Sequence, residues 1–205
     1  MRGKSGVCSS VQLSYRKSIV FFLFGARGTG KSTLIRARFP DAFTIDLLDH
    51  EIESTLMLNP HHLAAMVASA MSSQVVIDEI QKIPQLLDEV HRLIETPGNE
   101  KIFVMTGSSA RKLKAGGANL LAGRAFLRSL FPMTSLELEN RFDLLDALRW
   151  GTLPKIFSCT SDELKRDYLE SYAYLYLKEE VWGEQIIRNL PPFRKFLEVS
   201  AANAG

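Results

Sequence analysis

Two hydrophobic patterns alternate along the first two-thirds of the chain. Short, nearly unbroken apolar runs occupy Ile19–Phe24, Ala42–Leu48, Ser73–Ile77, Lys101–Met105 and Ala125–Leu130. Runs of this length read as strands buried on both faces, as in a parallel sheet. Between them the apolar positions take helical spacing. Helices are predicted over Thr33–Arg38, from a capping Asn59-Pro60 to about Ser72, and from Ile83-Pro84 to a stop at Pro97-Gly98. In the last of these Leu86, Leu87, Val90, Leu93 and Ile94 share one face. Strands alternating with helices predict an α/β domain. Beyond Phe131-Pro132 the pattern turns helical throughout. It gives a short amphipathic helix over Phe142–Trp150, a break at Gly151-Thr152-Leu153-Pro154, a long helix to about Trp182 opened by the capping pair Thr160 and Glu163, and a final helix over Phe193–Ala202. The expected division is a polar, flexible leader over 1–17, the α/β domain over 18–135 and a helical segment over 136–205 that stops as if mid-domain.

The chemistry begins where the first strand ends. Gly25-Ala26-Arg27-Gly28-Thr29-Gly30-Lys31-Ser32 has the spacing G-x-x-x-x-G-K-[ST] between an apolar strand and a helix that Thr33 continues. Glycine permits the positive φ angles that turn successive N–H groups inward onto phosphate oxygens, and the helix N-terminus adds the positive end of its dipole. Lys31 is then placed for the β- and γ-phosphates, and the Ser32 hydroxyl for Mg²⁺. The third run ends in Asp78-Glu79, at the strand end where open α/β sheets bind ligands. Asp78 can hold the Mg²⁺ water shell. Glu79, facing the other way, can orient and deprotonate a water attacking the γ-phosphate.

Further candidates cluster after the fourth and before the fifth run. Thr106-Gly107-Ser108-Ser109 brings small hydroxyls to a strand end, where they can serve as γ-phosphate sensors or merely as a turn and cap. Arg111–Arg124 is a glycine-containing basic loop expected beside the site, and Arg124 can neutralise transition-state charge in cis or from a neighbouring subunit. His61 and His62 are adjacent rather than one turn apart and read as surface. Tyr168, Tyr172 and Tyr176 recur every fourth residue, the spacing of a packing stripe rather than of a platform for bases.

Composition narrows the partners. The 205 residues are 46% hydrophobic and carry a formal charge of +2, so no basic footprint for nucleic acid or anionic lipid stands out and a nucleic-acid partner has no support from these residues. Cys8 and Cys159 lie far apart with no metal-ligand spacing, which points to reduced thiols in a cytoplasmic protein. No segment is long enough to span a bilayer.

Phe24–Thr33, then Asp78-Glu79-Ile80-Gln81-Lys82-Ile83-Pro84, then Thr106-Gly107-Ser108-Ser109 and Leu121-Ala122-Gly123-Arg124, resemble the prokaryotic AAA-type ATPases of AAA domain family 14. The D-E-I-Q-K-I-P string is the most specific of these, and later stretches resemble the start of the family's C-terminal domain. The resemblance implies a P-loop NTPase of three layers, α/β/α. Its central parallel sheet has five strands, with the Thr106 strand between the phosphate-loop strand and the Asp78 strand. It further implies ATP and Mg²⁺, Glu79 as catalytic base, a sensor among Thr106–Ser109, and Arg124 as a finger, through which a homo-oligomer is one candidate assembly; no protein client comes with it. ATP hydrolysis is the leading function. A nucleotide-gated switch with little turnover is the alternative, followed by a small-molecule kinase, against which the water-activating acid pair counts.

Overall fold

The computed structural model describes residues 19–108, 113, 121, 124–176 and 190–203. The predicted leader, with Cys8, lies outside this range, as do Ser109, most of the Arg111–Gly123 loop and the continuation of the long helix beyond Tyr176.

Five strands, β1 (Val20–Phe24), β2 (Phe43–Asp46), β3 (Gln74–Asp78), β4 (Ile102–Gly107) and β5 (Ala125–Ser129), form one sheet in the order β2-β3-β4-β1-β5. Every neighbouring pair is parallel. Unbroken apolar runs fit because alternate residues feed two cores. Val20, Phe22, Phe24, Val75, Ile77, Phe103 and Met105 enter one cluster, and Phe21, Leu23, Val76 and Val104 enter the other. The helix α1 (Lys31–Arg38) covers the second cluster with Leu34 and Ile35. Helices α2 (His50–Leu58), α3 (His62–Ser69) and α4 (Leu86–Glu95) cover the first. The chain is therefore an α/β/α sandwich. Only parallel pairing with crossover helices on both faces buries such strands on both sides.

Three boundaries in this part of the chain depart from the sequence reading. The polar Asp49-His50-Glu51 after the second run carried no helix in the sequence reading. Instead Asp49 is the cap of α2, its carboxylate accepting from the Glu51 and Ile52 amides at 2.9 and 3.3 Å. That helix buries only Leu56, so its apolar pattern is faint. The helix after Asn59-Pro60 begins at His62, whose amide bonds the Asn59 backbone carbonyl at 3.0 Å, so no side chain caps it. It stops at Ser69 rather than Ser72 because the Lys101 ammonium holds the Ala70 and Ser72 carbonyls at 2.7 and 2.6 Å, out of a helical path.

After the sheet come α5 (Ser135–Leu138), α6 (Leu144–Trp150), α7 (Asp162–Tyr176) and α8 (Leu190–Ala202). The capping box expected at Thr160 and Glu163 does not form. Ser161 accepts from the Leu164 amide at 3.3 Å, one residue later in the chain. A complete box closes α5 instead, between Thr134 and Glu137. Trp150, Leu153 and Ile156 make a third small core on which Tyr168, Leu169 and Tyr172 pack, so the tyrosine stripe does serve packing. Among the described residues no helix is long and apolar enough to cross a membrane.

His61 is exposed, yet its Nδ1 lies 2.6 Å from Glu89, a carboxylate on α4 that is itself buried and also bound by Arg92 at 2.8 Å. Burial pushes the Glu89 carboxyl up, but the hydrogen bond and charge of Arg92, with His61, outweigh that push and hold it below its usual value. A depressed carboxylate stabilises the fold above its unfolded pKa, and that contribution disappears as pH falls through the folded value. Glu89→Gln should therefore cost about 1–3 kcal/mol at neutral pH. The gap in melting temperature from wild type should narrow as pH falls below about 4. A gap that does not change with pH would contradict this.

Candidate active site

The turn after β1 is forced by contact as well as by conformation. A β-carbon at Gly25 would lie 2.3 Å from the Leu130 carbonyl, and Gly28 and Gly30 hold φ of 76° and 95°. No non-glycine side chain fits the first position, and few tolerate the other two. Within the loop the Thr29 hydroxyl donates to the Ala26 carbonyl at 2.8 Å, and the buried Lys31 ammonium donates to the Gly25 and Ala26 carbonyls at 2.7 and 3.2 Å. Gly30, in the left-handed region, is the N-cap of α1 and offers no side-chain acceptor. The amides of the first turn, Lys31 to Thr33, thus face the loop, the arrangement that receives an anion at a helix N-terminus. A cleft of about 600 Å³ opens there, lined by Arg27, Gly28, Gly30, Lys31, Ser32 and Thr33 from the loop and by Glu79 from the end of β3.

The sheet order brings the remaining candidates to the same edge. β4 separates β1 from β3, and its Thr106 sits beside Asp78. The Ser32 hydroxyl donates to Asp78 Oδ2 at 3.1 Å, and the fully buried Thr106 hydroxyl donates to Asp78 Oδ1. The Glu79 amide in turn bonds Thr106 Oγ1 at 3.3 Å. Glu79 adopts φ 60° and ψ 43°, a left-handed conformation costly for a residue with a β-carbon, which swings its side chain away from the strand line. Gln81 donates to Glu79 Oε2 and, at 3.3 Å, to Ser108 Oγ. Ser32, Asp78, Glu79, Thr106 and Ser108 are thus one connected group.

The residues fit a divalent cation. Mg²⁺ takes oxygen ligands at about 2.0–2.1 Å in an octahedron, so adjacent ligand oxygens lie roughly 3 Å apart. The Ser32 and Asp78 oxygens are 3.1 Å apart. Among the described residues no cluster of three His, Cys, Asp or Glu side chains could hold a metal. A Mg²⁺ held largely by phosphate and water oxygens has no need of one.

A family model for the AAA domain matches residues 17–139, more than half of the chain. The chain belongs to AAA domain family 14. Uncharacterized proteins of Mycobacterium bovis and Mycobacterium tuberculosis are each 28% identical to it over 166 residues, 79% of this chain and 36% of theirs. The chain therefore spans about a third of the length of these curated relatives. Among solved structures, Caenorhabditis elegans PCH-2 matches 58% of this chain and 36% of its own at 16% identity and a TM-score of 0.36. A signal transduction ATPase with numerous domains from Pyrococcus horikoshii, bearing a tetratricopeptide-repeat sensor, matches 88% of this chain and 29% of its own at 12% identity and 0.39.

One expected neighbour is elsewhere in this AAA domain. Arg124 precedes β5, whose Ala125 pairs with Val20 at the start of β1, whereas the phosphate loop follows Phe24 at the other end. That separation is one strand length, roughly 16 Å, beyond the reach of an arginine. Arg124 instead bonds Glu95 at 3.0 Å and His91 at 2.8 Å on α4. The expectation that the end of the basic loop lies beside its own chain's site is corrected for Arg124; parallel pairing puts strand starts and strand ends on opposite rims.

Other residues at the site carried no assignment in the sequence reading. Pro154 and Lys155 line the cleft. A β-carbon at Gly28 would lie 3.0 Å from the Tyr168 hydroxyl and 3.8 Å from the Tyr172 ring, so α7 rests against the phosphate loop. Burial, with Cys159 nearby, raises the Tyr168 phenol above its usual value. Gln81 belongs to the motif, but its reach back to Glu79 depends on the left-handed turn, which no residue pattern signals.

Proposed function

We propose that this AAA domain binds Mg-ATP between the β1–α1 loop and the end of β3 and hydrolyses it to ADP and phosphate, driving a conformational or assembly change. The observation that carries the reading is the 3.1 Å contact between Ser32 and Asp78, which joins loop and strand end at one point. On this reading the loop amides and Lys31 hold the β- and γ-phosphates. Ser32 and Asp78 would hold Mg²⁺, which supplies charge neutralisation along the triphosphate. Glu79 takes a proton from water as the water oxygen bonds the γ-phosphorus and the bond to the β–γ bridging oxygen breaks. Thr106 keeps Asp78 in place, and Ser108 senses the γ-phosphate. Arg124 acts on the nucleotide of a neighbouring chain, because its own is out of range.

A second reading, a nucleotide-gated switch with little turnover, draws support from Tyr168 and Tyr172 against Gly28. Any change in the loop on nucleotide binding meets the helical segment directly. One experiment separates the two. Mg-dependent phosphate release should be measurable in wild type and lost in Lys31→Ala, together with ATP binding. Phosphate release undiminished in Lys31→Ala would refute the site. ATP-dependent change in oligomeric state without phosphate release would select the switch.

A further inference from the structure

We infer that Gln81 is a positioning residue for the catalytic base: its carboxamide fixes the Glu79 carboxylate against the end of β4, so the angle at which Glu79 meets water is set by the sensor strand. The inference rests on the ATPase reading and adds to it a group that touches no substrate.

Three observations converge. Gln81, in the 3₁₀ turn Ile80–Lys82 that follows β3, spends both N–H bonds on the site, one on Glu79 Oε2 and one on Ser108 Oγ. Its carbonyl oxygen is buried without a hydrogen-bond partner among the described residues. Buried orphan acceptors are uncommon because they lose water and gain nothing. A glutamine that served only packing would be better replaced by leucine or methionine, so the retained carboxamide points to its donor half. Finally, Gly107 makes room for it. A β-carbon there would lie 2.4 Å from Gln81 Oε1 and 3.4 Å from the Phe24 ring.

Geometry explains the need. Glu79 leaves β3 in a left-handed turn, so its side chain is not guided by the strand, and a free carboxylate at the rim would sample several rotamers. A base must sit within hydrogen-bond reach of the proton it takes, and small misplacements cost large factors in rate. One Glu79 oxygen is occupied by Gln81. The carboxylate is thereby turned so that one defined edge remains for water. Because the same carboxamide holds Ser108, a movement at the end of β4 would be passed to the base through a single side chain.

The test compares Gln81→Leu, Gly107→Ala and the double variant in steady-state ATP hydrolysis by the full chain, with Glu79→Gln beside them. Gln81→Leu removes the donor and the orphan acceptor together. It should leave the melting temperature unchanged or higher and KM for ATP within about twofold, while kcat falls about ten- to a hundredfold. Gly107→Ala should lower kcat by displacing the carboxamide, and the double variant should be no worse than Gln81→Leu, since both act through one group. In nitrogen-edited NMR the Gln81 side-chain amide signals, identified by their loss in Gln81→Leu, should shift in Glu79→Gln. Unchanged kcat in Gln81→Leu while Glu79→Gln is inactive would overturn this inference and leave the ATPase reading intact. Full turnover in Glu79→Gln would overturn this inference together with the assignment of Glu79 as base, and no turnover in wild type would overturn the ATPase reading with it.

Discussion

Replacing Glu79 with glutamine is expected to abolish phosphate release, by about 10²–10⁴-fold, while ATP binding stays within about twofold of wild type. The substitution keeps size and shape and leaves the Ser32–Asp78 pair, the loop amides and Lys31 untouched. What it removes is the oxygen able to take a proton from water. The expected signature is thus a fall in kcat with little change in KM, that of a group acting only in the transition state. Equilibrium titration with a fluorescent ATP analogue, run beside a phosphate-release assay, reads both quantities. Turnover comparable to wild type would transfer the role of base to another residue and end the assignment of Glu79.

The largest effect on stability is expected in the strand that delivers the loop. Phe22 is fully buried at the centre of β1, its ring stacked on Phe24 at 5.5 Å, and β1 is hydrogen-bonded on both sides by β4 and β5. Phe22→Ala should cost about 3–5 kcal/mol, a large share of the roughly 5–15 kcal/mol that holds an ordinary domain together. Phe126, on the edge strand β5, is 49% exposed and should cost far less when truncated. Urea unfolding with a common slope gives the comparison through the midpoints. Equal losses at the two positions would mean that β1 is not the middle of the core.

The legible parts of the molecule were those whose cause is local. The phosphate loop could be read because three glycines and a lysine have one steric and electrostatic use at that spacing, and the five strands because burial on both faces leaves a continuous apolar run. Alternation of strand and helix gave the parallel sheet, while the strand order came from the family resemblance. Helix α2 was hidden because only Leu56 of its nine residues is buried, so its start rests on one capping carboxylate. Lys101 ends α3 from 31 residues away in sequence, a distance over which no periodicity speaks. The site shows the same limit. Asp78 and Glu79 were recognisable as an acid pair, but the clasp of Gln81 on Glu79 follows from a backbone turn. Arg124 looked close to the loop because it ends a basic stretch, and only the register of β5 on β1 shows that the sheet stands between them.

The contact of Tyr168 and Tyr172 with Gly28 has a thermodynamic corollary. Binding equilibria are reciprocal: if occupancy of the loop alters how tightly α7 seats on it, the seating of α7 alters nucleotide affinity by the same factor. On the proposed reading, a partner that pulls on α7 would tune the affinity for nucleotide without approaching the cleft. The helical segment would then be a handle on the nucleotide, and the nucleotide an equal handle on the segment.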